Sequence, residues 1–339
     1  MAAYTAIDDP TLFFSATLYT GDGANDRAVT VAGTGMQPDM VWIKSRSEGE
    51  GHVLGDAVRG VNKKLVPNDT DAESSGSSYT NISKITSTGF TLSATGGGVD
   101  DAVNKDTATY VAWCWKESAT AGFDIDSNSG TGSARTEAHS LSAVPHVIFM
   151  KSTNDTTNWA VYHHKNTSAP ETDYLRLNDT RATADDAERW NDTAPTSSVF
   201  SVGTDSETNS SGNSYITYLW SEKQGFSKFG SYTGNGNADA TFIYTGFKPA
   251  FIICKNTADT DHWIMFDNKR NTPPVNNILY PNLSGAEEST AAQSFEFFSN
   301  GFRPTSNWSG NNTSGSIYIY MCFAEAPFVN SNGVPCNAR

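Results

Sequence analysis

The fold is decided by the stretch Pro38-Asp39-Met40-Val41-Trp42-Ile43-Lys44, a short apolar run that follows a proline and ends in a lysine. The same pattern returns as Pro145-His146-Val147-Ile148-Phe149-Met150-Lys151 and as Pro249-Ala250-Phe251-Ile252-Ile253-Cys254-Lys255. Such a run is too short for a globular helix, and its β-branched and aromatic side chains favour a buried strand. Three copies of one strand indicate that the chain is built from internal repeats.

The repeat is about 105 residues long, because a second motif, Tyr110-Val111-Ala112-Trp113-Cys114-Trp115, returns at the same step as Tyr215–Trp220 and Tyr318–Phe323. Solenoid repeats have about 20–50 residues and cannot bury their own faces, whereas a unit of this size can form a core. We therefore predict an all-β fold of three tandem β-sandwich modules, jelly-roll-like in type. Their limits are residues 1–118, 119–224 and 225–339, the last with a C-terminal tail.

The last strand of each repeat, here called the closing strand, is apolar on both faces, which predicts a central place in a sheet. The links between repeats are short, from Glu117 to Phe123 and from Glu222 to Phe226, so we expect the modules to pack against each other. The middle repeat lacks the opening Tyr19-Thr20-Gly21-Asp22-Gly23 of the first, which leaves its first turn unpredicted.

Charge and hydropathy exclude several classes of partner. The net charge of −14 argues against nucleic acid and against an anionic membrane surface, since both require clustered Lys and Arg. No apolar run approaches the roughly 20 residues that cross a bilayer. Residues 1–12 have the composition of a short polar lead, and Met1-Ala2-Ala3-Tyr4 lacks the features of a secretory signal. We expect synthesis in a cytoplasm, no nucleic-acid partner and no membrane insertion.

The sequence contains four cysteines: Cys114, Cys254, Cys322 and Cys336. They could form two disulfides, but Cys254 falls where the first repeat has Ile43, and Cys114 and Cys322 fall where the middle repeat has Leu219. A position that accepts either Cys or an aliphatic residue is an apolar packing site. We therefore expect buried free thiols, and the spacing of the cysteines predicts no zinc site.

A lysine and a glutamate recur just after two strands of each repeat, as Lys44 and Glu117, Lys151 and Glu222, and Lys255 and Glu325. We expect one ion pair within each module, which contributes about 1 kcal/mol or less if it is exposed. The alternative is a general acid with a cationic helper. Because catalysis seldom appears three times in one chain, the structural interpretation is favoured.

Two stretches carry possible metal ligands. Asn68-Asp69-Thr70-Asp71-Ala72-Glu73 concentrates oxygen atoms, as calcium sites do, but it lacks the glycine and spacing of an EF-hand loop. His163-His164 is the only histidine pair, and no further ligand lies at the spacing of a metal site. We expect a solvated loop at the first stretch, and neither a metal nor a cofactor anywhere in the chain.

Signs of catalysis are also missing from the sequence. Asp185-Asp186 and Glu287-Glu288 are adjacent acids, which point to opposite sides of a strand and are expected to be solvated charges. The chain has no nucleophile elbow, no zinc-protease motif and no phosphate-binding glycine loop. The recurring Trp159 and Trp263 are expected in the core rather than on a sugar-binding platform. We therefore predict no catalytic residue and no enzymatic activity.

Several phrases of the sequence resemble a group of virion structural proteins from tailed bacteriophages, common among marine phages and described as tail-fibre or uncharacterised structural proteins. The phrases are Tyr19-Thr20-Gly21-Asp22-Gly23, Gln37-Pro38-Asp39-Met40-Val41-Trp42-Ile43-Lys44, Tyr110-Val111-Ala112-Trp113-Cys114-Trp115-Lys116 and Ala324-Glu325-Ala326-Pro327-Phe328-Val329-Asn330. The resemblance covers most of the first and third repeats. It implies a place on a phage particle, other virion proteins as partners and self-assembly, but no catalytic residues.

We therefore expect a virion protein on the particle surface, most simply a tail-fibre or spike component whose polar loops contact a host glycan or protein. One alternative is a head-decoration or head-fibre protein. Another is a polysaccharide-binding or depolymerase appendage, and a depolymerase needs two acids that face each other at roughly 5–10 Å. A homotrimer is expected only by analogy with phage appendages.

Overall fold

The computed structural model describes residues 4–75, 82–93, 101–290 and 293–336, with the backbone alone at Asp101. The protein is almost entirely β, which confirms the predicted fold class. None of the helices in this described part of the chain has the length and apolar character that crossing a membrane requires.

The three repeats contain similar, although not identical, series of elements. The first has a 3-10 helix (Pro10–Leu12), β1 (Phe14–Thr20), β2 (Arg27–Thr30), β3 (Met40–Ser45), β4 (Val53–Asp56), β5 (Lys63–Lys64), β6 (Ser74–Ser75), β7 (Ile82–Thr86), β8 (Gly89–Leu92), α1 (Asp101–Asn104) and β9 (Thr109–Trp115). The second has β10 (Phe123–Ser129), β11 (Arg135–Ala138), β12 (Val147–Ser152), β13 (Ala160–His163), β14 (Asp173–Arg176), β15 (Ala184–Asp185), α2 (Ala187–Trp190), β16 (Val199–Val202) and β17 (Ser214–Trp220). The third has β18 (Ser227–Thr233), β19 (Ile243–Tyr244), β20 (Phe247–Asn256), β21 (Ile264–Asp267), β22 (Asn277–Ile278), β23 (Glu288–Ser289), β24 (Phe295–Phe298), β25 (Gly301–Pro304), α3 (Ser309–Asn312) and β26 (Ile317–Pro327).

Each repeat is built on one main antiparallel sheet in which the closing strand lies second. The strand orders are β1-β9-β3-β4, β10-β17-β12-β13 with β14 and β15 added at the edge, and β18-β26-β20-β21. The closing strand therefore pairs on both sides, as its two apolar faces predict. We call the end of the sheets that carries Lys44, Lys151 and Lys255 the lysine end. The opposite end carries the connections between repeats, residues 116–122 and 221–226, and is called the linker end.

A smaller sheet covers the outer face of each main sheet: β2-β8-β7 in the first repeat, β11-β16 in the second and β19-β25-β24 in the third. Apolar side chains from both layers form an outer core in each repeat, for example Phe90 and Leu92 of β8 with Val41 and Ile43 of β3. This two-layer arrangement gives each repeat the sandwich character that the sequence predicts.

The inner faces of the three main sheets meet in one central core. In β9, Val111, Trp113 and Trp115 face this core, whereas the residues between them face the outer core of the first repeat. The indole of Trp115 contacts both other repeats, at 6.5 Å from Trp220 and 5.9 Å from Phe251 between ring centroids. The repeats are therefore parts of one body, because the inner face of each main sheet forms part of the shared central core.

The repeats are joined in a ring by equivalent hydrogen bonds. Trp159 Nε1 donates to Val66 O at 3.1 Å, Trp263 Nε1 to Arg176 O at 2.8 Å, and His52 Nε2 to Tyr280 O at 3.0 Å. The second repeat thus bonds the first, the third bonds the second, and the first bonds the third. Trp159 and Trp263 are buried, as predicted. This cyclic pattern gives the chain an internal threefold arrangement.

The middle repeat forms the same first turn as the other two, although its sequence looks different there. Its turn is Gly130-Thr131-Gly132, in which Thr131 N donates to the buried Asn209 at 2.9 Å and Asn209 Nδ2 donates to Ser133 O at 2.7 Å. Asn104 and Asn312 make the matching bonds in the other repeats. A Cβ on Gly130 would lie 2.1 Å from a backbone oxygen, so the close approach requires glycine.

Two expectations about single segments were wrong. Residues 4–12, here called the N-terminal strap, are not a polar lead, because Ile7 is 3% exposed and belongs to the central core. The strap crosses to the third repeat, where Tyr4 OH donates to Gly246 O at 2.8 Å. Cys336 is exposed, in contrast to the other three cysteines, which are buried; all four are free thiols.

We expect Trp115→Ala to destabilise the whole chain rather than one repeat. The substitution leaves a cavity where three repeats meet, and such losses cost about 3–5 kcal/mol. Differential scanning calorimetry should therefore show one transition, for the wild type and the variant alike, with a lower midpoint in the variant. Two or more transitions, of which only one moves, would contradict the shared core.

Candidate functional site

The three recurring lysines are fully buried, and each bonds backbone carbonyls of the loop that follows its strand. Lys44 Nζ donates to Ser45 O at 2.7 Å and to Glu48 O at 3.2 Å. The bonds recur from Lys151 to Ser152 and Asp155, and from Lys255 to Asn256 and Asp259. Burial lowers the pKa of each of these lysines to about 8. The ammonium groups thus hold three loops of the lysine end in one conformation.

The expected ion pairs Lys44–Glu117, Lys151–Glu222 and Lys255–Glu325 are not formed. Lys44 lies opposite Val111 in the antiparallel pair of β3 and β9, whereas Glu117 lies beyond the far end of β9. At about 3.3 Å per residue, the two side chains belong to opposite ends of the sheet, roughly 20 Å apart. The prediction was wrong because two neighbouring antiparallel strands end at opposite ends of the sheet. A residue at the end of one strand therefore cannot contact a residue that follows the other.

Each recurring glutamate lies at the linker end with a different partner: Glu117 beside Asp124, Glu222 with Lys228 at 3.0 Å, and Glu325 with Lys248 at 2.8 Å. Burial, followed by the hydrogen bond with Asp124, raises the pKa of Glu117 to about 7. The carboxylates of this end are therefore used to join repeats and strands.

The candidate metal ligands are occupied by protein groups. Asn68 Oδ1 accepts from His52 N at 2.7 Å, and Glu73 pairs with Arg59 at 3.1 Å. Both ring nitrogens of the buried His163 are bonded, one to Tyr320 O and one to a backbone N–H. Burial lowers its pKa to about 3. Within the described residues, no group of three or more His, Cys, Asp or Glu side chains is arranged to hold a metal ion.

We expected the adjacent acids to be solvated charges, but one carboxylate of each pair is bonded to other groups of the protein. Asp186 caps α2 by accepting from Glu188 N at 3.0 Å, and it also pairs with Arg189 at 3.2 Å. Glu287 pairs with Arg270 at 2.9 Å and with Arg46 at 2.8 Å. The pairing of Glu287 with Arg46 was missed because the two residues are 241 positions apart in the chain, whereas Asp186 was misread although Arg189 follows it by three residues.

The most distinctive open surface is a cleft at the linker end, here called the aromatic cleft. Its volume is about 320 Å³, and its lining residues are Tyr4, Glu222, Gln224, Ser227, Lys228, Tyr244, Thr245 and Gly246. Three segments thus build it: the N-terminal strap, the link between the second and third repeats, and β19 with the residues that follow. A contiguous cleft of about 280 Å³ shares Tyr4 and Gln224 with it, so that together they form one extended groove.

Tyrosines form one wall of the aromatic cleft. Tyr244 is 56% exposed, an unusual state for so large a side chain in a protein whose other rings mostly pack inside. Its hydroxyl lies 3.3 Å from that of Tyr4, which is itself fixed by the bond to Gly246 O. The two rings are therefore positioned before any ligand arrives.

The opposite wall carries two charges that neutralise each other. Lys228 Nζ lies 3.0 Å from Glu222 Oε2, and Glu222 Oε1 accepts from Phe229 N at 2.8 Å. The lysine side chain is 40% exposed and the glutamate 20%. The cleft thus offers hydrogen-bond donors and acceptors without a net charge.

Tyr244 has no aromatic counterpart in the other two repeats. It lies opposite Gly301 in the pair of β19 and β25, and the residues in the equivalent pairs are Thr30 in the first repeat and Ala138 in the second. Sequence analysis missed the site, although the departure of Phe242-Ile243-Tyr244 from the other two repeats was a usable signal. A side chain that differs from its two internal counterparts and is exposed serves no requirement of the shared fold.

A family model described as "Domain of unknown function (DUF7483)" matches residues 9–327. A search of the curated proteins found no match. The matched range includes all three repeats, so the whole ring of repeats, and not a single copy, is the unit that this family shares.

We expect Lys151→Met to lower the free energy of unfolding by about 2–3 kcal/mol, because the carbonyls of Ser152 and Asp155 lose their donor inside the protein. Lys105→Met is the control, since that lysine is 38% exposed and its ion pair with Glu48 should contribute less than about 1 kcal/mol. Urea unfolding measures both. Equal midpoints for the two variants would show that the buried bonds are unimportant.

Glu117→Gln should stabilise the protein at pH 8 and change little at pH 5. The folded-state pKa of Glu117, about 7, lies above the ordinary value of 4.5, so this residue favours folding least when it is ionised. Its unfavourable effect therefore grows as the pH rises from 4.5 through 7, and the amide removes it. Glu325→Gln, which breaks an exposed pair, is the control. Urea midpoints at the two pH values test this; a less stable Glu117→Gln at pH 8 would refute it.

Proposed function

The chain belongs to the DUF7483 family, and we propose from its own geometry that it is a non-catalytic virion protein of a bacteriophage that binds a glycan of the host surface. Its place would be a tail fibre or spike, with other virion proteins as partners and a homotrimer as the assembled state. The resemblance of its repeated phrases to phage structural proteins supports the setting. The observation that carries the binding function is the groove between the N-terminal strap and the third repeat.

A neutral oligosaccharide fits the chemistry of this groove. Sugar rings have apolar faces that pack on aromatic rings, and hydroxyl groups that both donate and accept hydrogen bonds. Tyr244 and Tyr4 offer the rings, while Gln224 and the paired Glu222 and Lys228 offer polar atoms of both kinds. Because the charges of Glu222 and Lys228 neutralise each other, the aromatic cleft itself favours a ligand without charge. The contiguous second cleft gives room for a chain of sugar units.

Binding without cleavage is favoured over depolymerase activity. Hydrolysis of a glycosidic bond ordinarily uses two acids that face each other across the sugar. Among the described residues that line the two clefts, Glu222 is the only acid, and Lys228 pairs with it. Incubation of the pure protein with host polysaccharide should release no reducing ends; their release would favour the depolymerase alternative.

The test of binding is Tyr244→Ser, which removes the aromatic ring and keeps a hydroxyl group. We expect the melting temperature to stay unchanged, since the side chain is exposed, and the affinity for neutral host envelope polysaccharide to fall about tenfold or more. Leu18→Ser, at another exposed apolar site, is the matched control and should bind as the wild type does. Binding isotherms that are the same for both variants would refute the proposal.

The place on the particle is tested separately, by electron microscopy of intact virions with gold-labelled antibody against this chain. Label on the tail is the expected result. Label on the head would favour the decoration alternative, and particles without label would exclude a virion protein altogether.

A further inference from the structure

The three junctions between repeats are closed by one equivalent main-chain bond, and their side chains can therefore be compared position by position. Glu73 N donates to Thr153 O at 2.8 Å, Thr183 N to Thr257 O at 2.9 Å, and Glu287 N to Arg46 O at 2.8 Å. The donor residue belongs to one repeat and the acceptor residue to the next repeat of the ring. Differences among the three junctions show which parts the shared fold does not dictate.

The junction of the third and first repeats is filled by an arginine. Arg46 donates to the carboxylate of Glu287 with both Nε, at 3.0 Å, and Nη2, at 2.8 Å. This two-point contact suits the planar guanidinium group and a carboxylate. Arg270 donates to the same carboxylate from the side, and the glutamate side chain is only 10% exposed. The guanidinium of Arg46 thus completes this junction.

The junction of the first and second repeats keeps the carboxylate but lacks the arginine. Glu73 occupies the position of Glu287, and Thr153 that of Arg46. In addition, Ser127 stands in β10 where β1 has Leu18. The result is an open cleft of about 450 Å³, here called the junction cleft, lined by Val58, Arg59, Lys63, Glu73, Ser127, Asn128, Ser129, Thr153, Ser214 and Tyr215.

The junction of the second and third repeats has neither group. Thr183 takes the place of the glutamate, and Thr257 that of the arginine. Only the first junction therefore combines a carboxylate with space for a missing guanidinium group. This combination is specific to one of three sites that otherwise share their backbone bonds.

We propose that the junction cleft binds a small ligand that carries a guanidinium group, in the place that Arg46 occupies at the equivalent junction. Arg59 donates to Glu73 from the side at 3.1 Å, as Arg270 does to Glu287, and it is also bonded to Asp56 at 2.6 Å. Lys63 is the weaker partner of Glu73, since its Nζ lies 3.4 Å away and its side chain is 41% exposed. The ligand would displace this ammonium group and make two parallel bonds to the carboxylate.

The remaining N–H groups of the ligand would also find acceptors. Ser127, Ser129 and Ser214 carry hydroxyl oxygens on the wall that the second repeat contributes. This binding would be independent of the glycan groove, because the junction cleft lies between other repeats and shares no residue with it.

Isothermal titration with agmatine, a small amine that carries a guanidinium group, tests the proposal on the full chain. We expect one site per chain and an affinity that falls about tenfold or more in Glu73→Gln. Thr153→Arg should fill the cleft from within and abolish binding. Arg46→Thr should open the equivalent cleft beside Glu287 and raise the stoichiometry to two sites per chain. Cadaverine, which carries two ammonium groups and no guanidinium group, is the control ligand of equal charge.

The proposal is overturned if agmatine does not bind the wild type in a saturable manner, or if cadaverine binds equally well, since charge alone would then explain the contact. It is also overturned if Thr153→Arg binds agmatine as the wild type does. Circular dichroism checks that each variant is folded. Should Thr153→Arg not fold, Thr153→Met occupies the cleft without a charge and must likewise lose agmatine binding.

Discussion

The packing of large aromatic side chains between three sheets is the contact on which the rest of the structure depends. Trp115 reaches Trp220 and Phe251, so a single residue of the first repeat contacts both others. Each buried ring of this kind contributes roughly 1.5–3 kcal/mol when it leaves water. Because the inner face of every main sheet belongs to this interior, no repeat can bury that face without its two neighbours.

The central core also explains how the charges are used. Ring N–H groups that enter the interior need acceptors, and the carbonyl of a neighbouring repeat provides one for Trp159, for Trp263 and for His52. The buried lysines act as donors instead, because their ammonium groups donate hydrogen bonds to backbone carbonyls at the lysine end. The recurring lysines are thereby committed to structure. Functional chemistry is to be sought where the repeats differ, as they do at Tyr244 and at Thr153.

The sequence alone predicted the all-β class and the central position of the closing strand, because both rest on the local pattern of apolar side chains. It did not predict the partners of Lys44 and Glu117, since these depend on which ends of antiparallel strands lie side by side. It also did not predict that Glu287 pairs with Arg46 or that Ile7 lies in the central core. Both contacts join residues that are far apart in the chain. The aromatic cleft and the junction cleft became visible only when equivalent positions could be compared in space.

The ring of three repeats, rather than the single repeat, is therefore the smallest folding unit. The matched family range, which spans all three copies, agrees with this view. The most direct measurement is an NMR spectrum, with sedimentation analysis, of the middle repeat alone, residues 119–224. Without Trp115 and Phe251 as neighbours, its inner face is exposed, and the account predicts either an unfolded chain or a self-associated one. A well-dispersed spectrum from a folded monomer would contradict it.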